Sequence, residues 1–289
     1  MNNRVRFSAN LGFLWTNLTL PNAIRAAALA GFDAVECHLP YGYKASEIKE
    51  VLVETGLPMI SLNTRIGVHG LEDLGVAAKP GREQEAREYI DEAIAYAADI
   101  DCANISVVAG RTGKTTLAEL VYRKNLAYAA KQAKLQGKTI LIEPLNTNIA
   151  MDYHLTYVED GISTIKAVGA DNLKLMIDCF HTYTMQGDLV EVFQKCIDYV
   201  GHIQISSYPD RGEPVDGEID YQSLIRRVQQ LGYGGAFGAE YTPRANIDEG
   251  LSWLQPWRKH KWVLSYKKSI APPWHMVRWP LTHTEQYTG

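Results

Sequence analysis

Leu173-Lys-Leu-Met-Ile-Asp178 is a short apolar run that ends on a carboxylate. An amphipathic stretch with apolar residues at 3–4 spacing precedes it, from Val158 to Val168, and another follows, from Leu189 to Val200. Outward from this unit the same alternation recurs along most of the chain. Short runs stand at Arg6-Phe-Ser-Ala-Asn10, Ala34-Val-Glu36, Met59-Ile-Ser-Leu-Asn63 and Asn104-Ile-Ser-Val-Val108, then at Thr139-Ile-Leu-Ile-Glu143, His202-Ile-Gln-Ile205 and Ala236-Phe-Gly-Ala-Glu240. Brief, apolar-rich runs of this kind predict parallel strands buried on both faces. The stretches Asn22 to Ala30, Ala45 to Thr55, Arg82 to Ala98, Thr115 to Leu135, Tyr221 to Leu231 and, more briefly, Asp248 to Leu254 predict helices. Gly31, Gly56, Gly137, Gly169, Gly201 and Gly232 follow the helical stretches, where a left-handed cap costs glycine little. Eight β/α units of similar length predict an α/β fold, a (β/α)8 TIM barrel; an open doubly wound sheet is the alternative that the near-equal units disfavour.

The chain of 289 residues, 46% hydrophobic and 21% charged, can bury a core without disulfide or metal staples. Its formal charge of -4 conceals a split: residues 255–289 hold six of the 29 Lys and Arg, one of the 33 Asp and Glu, and four of the six Trp. That leaves the tail at +5 and residues 1–254 at -9. The expected organisation is a barrel domain over residues 1–254 and a basic, Trp-rich C-terminal extension over residues 255–289. The extension is expected to pack across the barrel or a neighbouring subunit. Binding of an anionic surface or nucleic acid through its Trp and Lys/Arg residues is the alternative. Cys37, Cys102, Cys179 and Cys196 are scattered, no secretory segment follows Met1, and no apolar run approaches the ~20 residues of a membrane helix. A cytoplasmic protein with reduced thiols, no membrane partner and no nucleic-acid partner is the expectation, and a homo-oligomer is compatible with it.

In a barrel of this type, reactive groups sit where strands end at the carboxyl face. The proposed strands end at Glu36, Asn63, Glu143, Asp178 and Glu240, and Gln204 stands one residue before the end of the seventh. A buried carboxylate is expensive unless paired, protonated or bound to a cation. Each acid alone is read as easily as a helix cap or an ion-pair partner. Glu143, Asp178, Gln204 and Glu240 together suggest an oxygen-rich cage for a hard divalent metal, Mg²⁺ or Mn²⁺, since thiolate is absent and imidazole is scarce.

Ser8-Ala-Asn-Leu11, Gly31-Phe-Asp-Ala-Val-Glu36, Pro80-Gly-Arg82, Ile142-Glu-Pro144, Asp178-Cys-Phe-His181, His202-Ile-Gln204, Asp210-Arg-Gly-Glu-Pro214, Gly217-Glu-Ile-Asp-Tyr221 and Gly238-Ala-Glu-Tyr241 resemble, in order, the hydroxypyruvate isomerase family of xylose-isomerase-like TIM barrels. The resemblance runs from about Arg6 to Trp253. It implies a metal held by Glu143, Asp178, Gln204 and Glu240, an acid/base pair of Glu143 and Glu240, and His181 and Arg211 near the substrate. Related ketose 3-epimerases carry His where this chain has Gln204, which leans the resemblance toward hydroxypyruvate or 2-oxo-tetronate isomerases. The expected reaction is hydroxypyruvate to tartronate semialdehyde (2-hydroxy-3-oxopropanoate) through an enediolate. The alternatives are a 2-oxo-tetronate isomerase, a ketose 3-epimerase and, outside enzymes, a sugar-acid binding protein.

The chemistry of the residues agrees. Moving a carbonyl between adjacent carbons needs a base on one side of the substrate and an acid on the other, and Glu143 and Glu240 stand three strands apart. His181 follows Asp178 closely enough to hydrogen-bond a substrate oxygen, unless a neighbouring loop satisfies it. Arg211 can grip a carboxylate with two N–H groups, unless Glu213 or Glu218 pairs with it. Asn63 is assigned to the substrate, and with Glu36 it could instead order the residues that touch the metal. Ser206-Ser-Tyr208 departs from the polar set expected before Pro209, which touches substrate choice. Ala109-Gly-Arg-Thr-Gly-Lys-Thr-Thr116 lacks the first Gly of a phosphate loop and reads as a turn before a helix. His38, His69 and His154 have no ligand spacing and read as loop residues. Abasic-site endonucleases of a related barrel class need more His ligands and a basic groove, whereas residues 1–254 are acidic.

Overall fold

The computed structural model describes residues 4–257. Eight strands appear: β1 (Phe7–Asn10), β2 (Ala34–Cys37), β3 (Met59–Asn63), β4 (Asn104–Ser106), β5 (Thr139–Ile142), β6 (Leu173–Asp178), β7 (Val200–Ile205) and β8 (Phe237–Ala239). All pair in parallel in the order β1 to β8, and β8 returns to β1 through Phe7↔Phe237 and Ser8↔Gly238, which closes the barrel. The helices between them are α1 (Leu20–Ala30), α2 (Ala45–Thr55), α3 (Glu83–Asp99), α4 (Thr116–Leu135), α5 (Val158–Val168), α6 (Cys179–Gln186), α7 (Leu189–Cys196), α8 (Tyr221–Gln230) and α9 (Ile247–Gly250). Among the described residues, no helix is long and apolar enough to cross a membrane.

Each strand reads in twos, because successive side chains leave opposite faces. Ile105, Ile140, Ile142, Leu175, Ile177, Ile203 and Ile205 occupy one parity and are all buried in the core. Full burial of such a side chain contributes ~1.5–3 kcal/mol. The other parity carries Ser8, Asn10, Glu36, Ser61, Ser106, Asp178, His202 and Gln204, which are also buried. The barrel interior is therefore polar toward the carboxyl ends, in keeping with polar strand ends but extending to residues further back, such as Ser8 and His202. Register then sets neighbours around the ring: Asn10 lies beside Glu36, Asp178 beside Gln204, and Gln204 beside Gly238.

Helix α6 is an element that the sequence periodicity does not predict. Cys-Phe-His-Thr-Tyr-Thr-Met-Gln has no clean amphipathic period, and its helix is set by the cap: Asp178 Oδ1 accepts from Phe180 N at 2.8 Å. That cap puts His181 on the first turn, over the end of β6. Helix α7 is shorter than its periodicity suggested, because a 3₁₀ turn at Ile197–Tyr199 leads directly into β7. The stretch ending at Thr116 is a turn and helix start, with Thr115 Oγ1 accepting from Ala118 N. A 3₁₀ segment, Leu251–Trp257, crosses the expected domain boundary, with Trp253 against Phe7 and Tyr241. From residue 258 on, the basic extension lies outside the described residues.

Candidate active site

The carboxyl ends of the strands open into a cavity of about 430 Å³. Its polar side is formed by His38, Asn63, Glu143, His181, Arg211 and Glu240, and its apolar side by residues that include Ile66, Leu74, Val108, Leu145 and Ile149. Of the seven site residues singled out in the sequence, Asn63, Glu143, His181, Arg211 and Glu240 line this cavity, and Asp178 and Gln204 are buried against them. Ligand atoms of Glu143, Asp178 and His181 lie within 4.8 Å of one another. Gln204 Nε2 donates to Glu240 Oε2 at 2.6 Å. Arg211 Nη2 bridges Asp178 Oδ2 (3.0 Å) and Glu240 Oε1 (2.7 Å). Asn63 lines the cavity, and among the described residues its side chain makes no hydrogen bond to the other six.

The two glutamates sit in opposite surroundings. Glu240 Oε2 also accepts from Asn10 Nδ2 at 2.5 Å and lies 3.5 Å from His38 Nε2. Burial pushes the Glu240 carboxyl up, but His38 and Arg211 outweigh it and hold the group low. Among the described residues Glu143 has no hydrogen-bond partner. Burial, together with the negative charges of Glu240 and Asp178, pushes its carboxyl well above the ordinary range. A divalent cation between these acids would remove the second cause.

His181 has a defined tautomer. Its Nδ1 accepts from the backbone N–H of Asn146 at 3.1 Å, so the ring proton of the neutral form sits on Nε2, 3.6 Å from Asp178 Oδ2. Burial lowers its basicity and favours that neutral form. Arg211 stands at φ 55°, a left-handed conformation that costs a non-glycine residue about 1–3 kcal/mol. Backbone bonds hold it there: Arg211 N donates to Ser207 O at 3.0 Å, and Thr242 N to Arg211 O at 2.8 Å. Its guanidinium stacks over Phe13 and Phe180, with 4.8 and 5.3 Å to the ring centroids. The ion pairs considered with Glu213 or Glu218 do not form; Arg244 takes Glu213.

The donor set fits a hard cation. Gln204 Oε1 is a buried carbonyl oxygen with no hydrogen-bond partner, in a site that already holds three carboxylates. Two residues of the site escaped the sequence reading. His38 and Asn10 both reach Glu240, and Asn10 Nδ2 is 3.2 Å from His38 Nε2. Asn10 at the end of β1 carried the same strand-end signal as Asn63, and His38 follows the end of β2.

The family described as "Xylose isomerase-like TIM barrel" matches residues 24–257. A 2-oxo-tetronate isomerase of Cupriavidus necator is 39% identical over 255 residues, covering 87% of this chain and 98% of that protein. This chain belongs to the family of xylose isomerase-like TIM barrels. A hydroxypyruvate isomerase of Escherichia coli, 35% identical over 257 residues, covers 88% of this family member and 100% of its own length. The crystal structure of an AP endonuclease, family 2, from Brucella melitensis superimposes with a TM-score of 0.85 at 34% identity, over 88% of this chain and 99% of that one.

Proposed function

We propose that this isomerase interconverts small hydroxy-oxo acids, with hydroxypyruvate and tartronate semialdehyde as the first pair and 2-oxo-tetronates as the next. The observation that carries the proposal is the presence of Glu143 and Glu240 on one cavity, extending from β5 and β8, with Asp178 and Gln204 on the strands between. The relatives named as hydroxypyruvate and 2-oxo-tetronate isomerases support the same class of substrate.

One glutamate removes a proton from C3 of hydroxypyruvate, leaving an enediolate. The other delivers a proton to C2, while the hydroxyl proton of O3 ends on O2, which leaves an aldehyde at C3 and a hydroxyl at C2. Positioned acid and base groups contribute ~10²–10⁴-fold. A divalent cation, Mg²⁺ or Mn²⁺, held by Glu143, Asp178, Gln204 and Glu240 would supply stabilisation of the negative charge on the substrate oxygens. His181, with its proton on Nε2, donates to a substrate oxygen. Arg211, stacked and charged, takes the substrate carboxylate, and Asn63 meets a hydroxyl at the cavity wall. An endonuclease reading has less support, because the cage offers oxygen donors with one imidazole and residues 1–254 carry a net -9.

The test is a panel of hydroxypyruvate, 2-oxo-tetronates and ketoses followed by NMR in deuterated buffer. The native chain is expected to exchange the proton beside the carbonyl of at least one acid, and Glu143→Gln or Glu240→Gln to abolish exchange. Undiminished turnover in both variants would overturn the acid/base assignment, and binding without exchange would make the chain a sugar-acid binder.

A further inference from the structure

Beneath the cavity lies a buried carboxylate that takes no part in the reaction. Glu36, on β2, is 2% exposed and does not line the cavity. Its Oε1 accepts from Ser8 Oγ at 3.1 Å, and its Oε2 from His202 Nε2 at 2.9 Å and Gln204 Nε2 at 3.1 Å. The Gln204 amide has a donating and an accepting end, and its orientation decides which end faces a cation. With Glu36 Oε2 and Glu240 Oε2 both within hydrogen-bond distance, the inner end must be nitrogen, since an oxygen there would face two carboxylate oxygens. Oε1 is thereby left on the other side, buried and without a partner.

We propose that Glu36 is a positioning residue: it fixes the Gln204 amide so that the carbonyl oxygen is presented to the divalent cation. This rests on the reading of Gln204 as a cation ligand. His202 anchors Glu36 in turn. Gly238 makes room, because a Cβ there would collide with Glu36 Oε1 and come within 2.9 Å of His202 Nε2. Only a carboxylate, which accepts at both oxygens, dictates the orientation. An amide at position 36 accepts either end of Gln204, which leaves Glu240 Oε2 alone to select nitrogen.

The test is Mn²⁺ affinity of the chelator-stripped full chain, measured by calorimetric titration, with thermal melting as a check on folding. Glu36→Gln is expected to weaken Mn²⁺ binding 10–100-fold, the usual loss when a ligand's outer partner is removed. In a Gln204→Ala background, where there is no amide to orient, the same substitution should change affinity less than about threefold, a non-additivity that a charge effect alone does not produce. Equal losses in both backgrounds, or no loss in the native one, would overturn the proposal. Should Glu36→Gln not fold, Glu36→Asp carries the same test, since it keeps the charge and draws the carboxylate back from Gln204 Nε2. If the native chain binds no Mn²⁺, the cation reading fails and this inference with it. If the native chain binds and the variant binds equally well, this inference alone fails.

Discussion

His181 shows how one backbone contact assigns a chemical role. An imidazole whose Nδ1 accepts from Asn146 N–H carries its proton on Nε2 and can donate to an oxygen there. His181→Ala should therefore lower kcat by about 10²–10³-fold, the usual loss of one donor to a developing oxyanion, with a smaller change in KM. Steady-state kinetics on the preferred acid checks this; a rise in KM alone would make His181 a ground-state contact. At this scale the sequence exposed what strand ends expose. Glu143, Asp178, Gln204 and Glu240 stand at or near the ends of four consecutive strands, a position that also marks Glu36 and Asn63, and the resemblance narrows the set to the four. His38 and Asn10 were harder, because they reach Glu240 only when β1 and β8 pair and bring residues some 200 positions apart into contact. The alternative of an Arg211 pair with Glu213 is closed by another distant contact, since Glu213 is taken by Arg244, 31 residues further on.

Among elements, the loops carry the precision and the helices carry the loops. Arg244, after β8, clamps the loop after β7 through Asp210 Oδ2 (2.6 Å), Ser207 Oγ (2.7 Å) and Glu213 Oε2 (3.1 Å). The strained backbone of Arg211 lies inside that clamp. A second tie joins α4 to the next unit: Glu119 accepts from His154 Nε2, Thr164 Oγ1 and Arg123 Nε at 2.8, 2.8 and 2.5 Å. Burial alone would raise the Glu119 carboxyl, but these hydrogen bonds outweigh it and bring the group down to about 2. A carboxylate depressed in the folded state contributes stability above its ordinary pKa and loses it as pH falls toward the folded value. The Tm difference between the native chain and Glu119→Gln should then be largest near neutrality and shrink as pH falls from about 5 toward 2. Calorimetric melts across that range measure it, and a difference independent of pH would assign the effect to packing. The ties between units had no signal in the sequence, since His154 reads as a loop residue and Glu119 lies 35 and 45 residues from His154 and Thr164.

For the whole molecule, closure of the sheet follows from repetition, and eight similar units made it legible. The polar interior did not follow from the same reading. Runs such as Thr139-Ile-Leu-Ile-Glu143 read as apolar-rich and buried on both faces, and only the acid at the end marks the inward parity. On the proposed reading, the concentration of acids inside a closed ring would make the native fold the state that binds a cation. A ligand that binds only the folded chain stabilises it by ~2.7 kcal/mol at a hundredfold excess over its Kd. For a chain of this size that corresponds to a rise in Tm of roughly 4–5 °C. Melts with Mn²⁺ and with EDTA check it, and coincident melts would count against a cation in the cage.

The alternation of faces along each strand has a further consequence for how such a site can vary over time. Adding or removing one residue within a strand would turn every later side chain of that strand to the opposite face. A carboxylate would then point at a helix and an isoleucine into the ring. The chemistry of the barrel mouth is therefore open to replacement of residues at fixed positions, whereas changes of length are confined to the connections between strands.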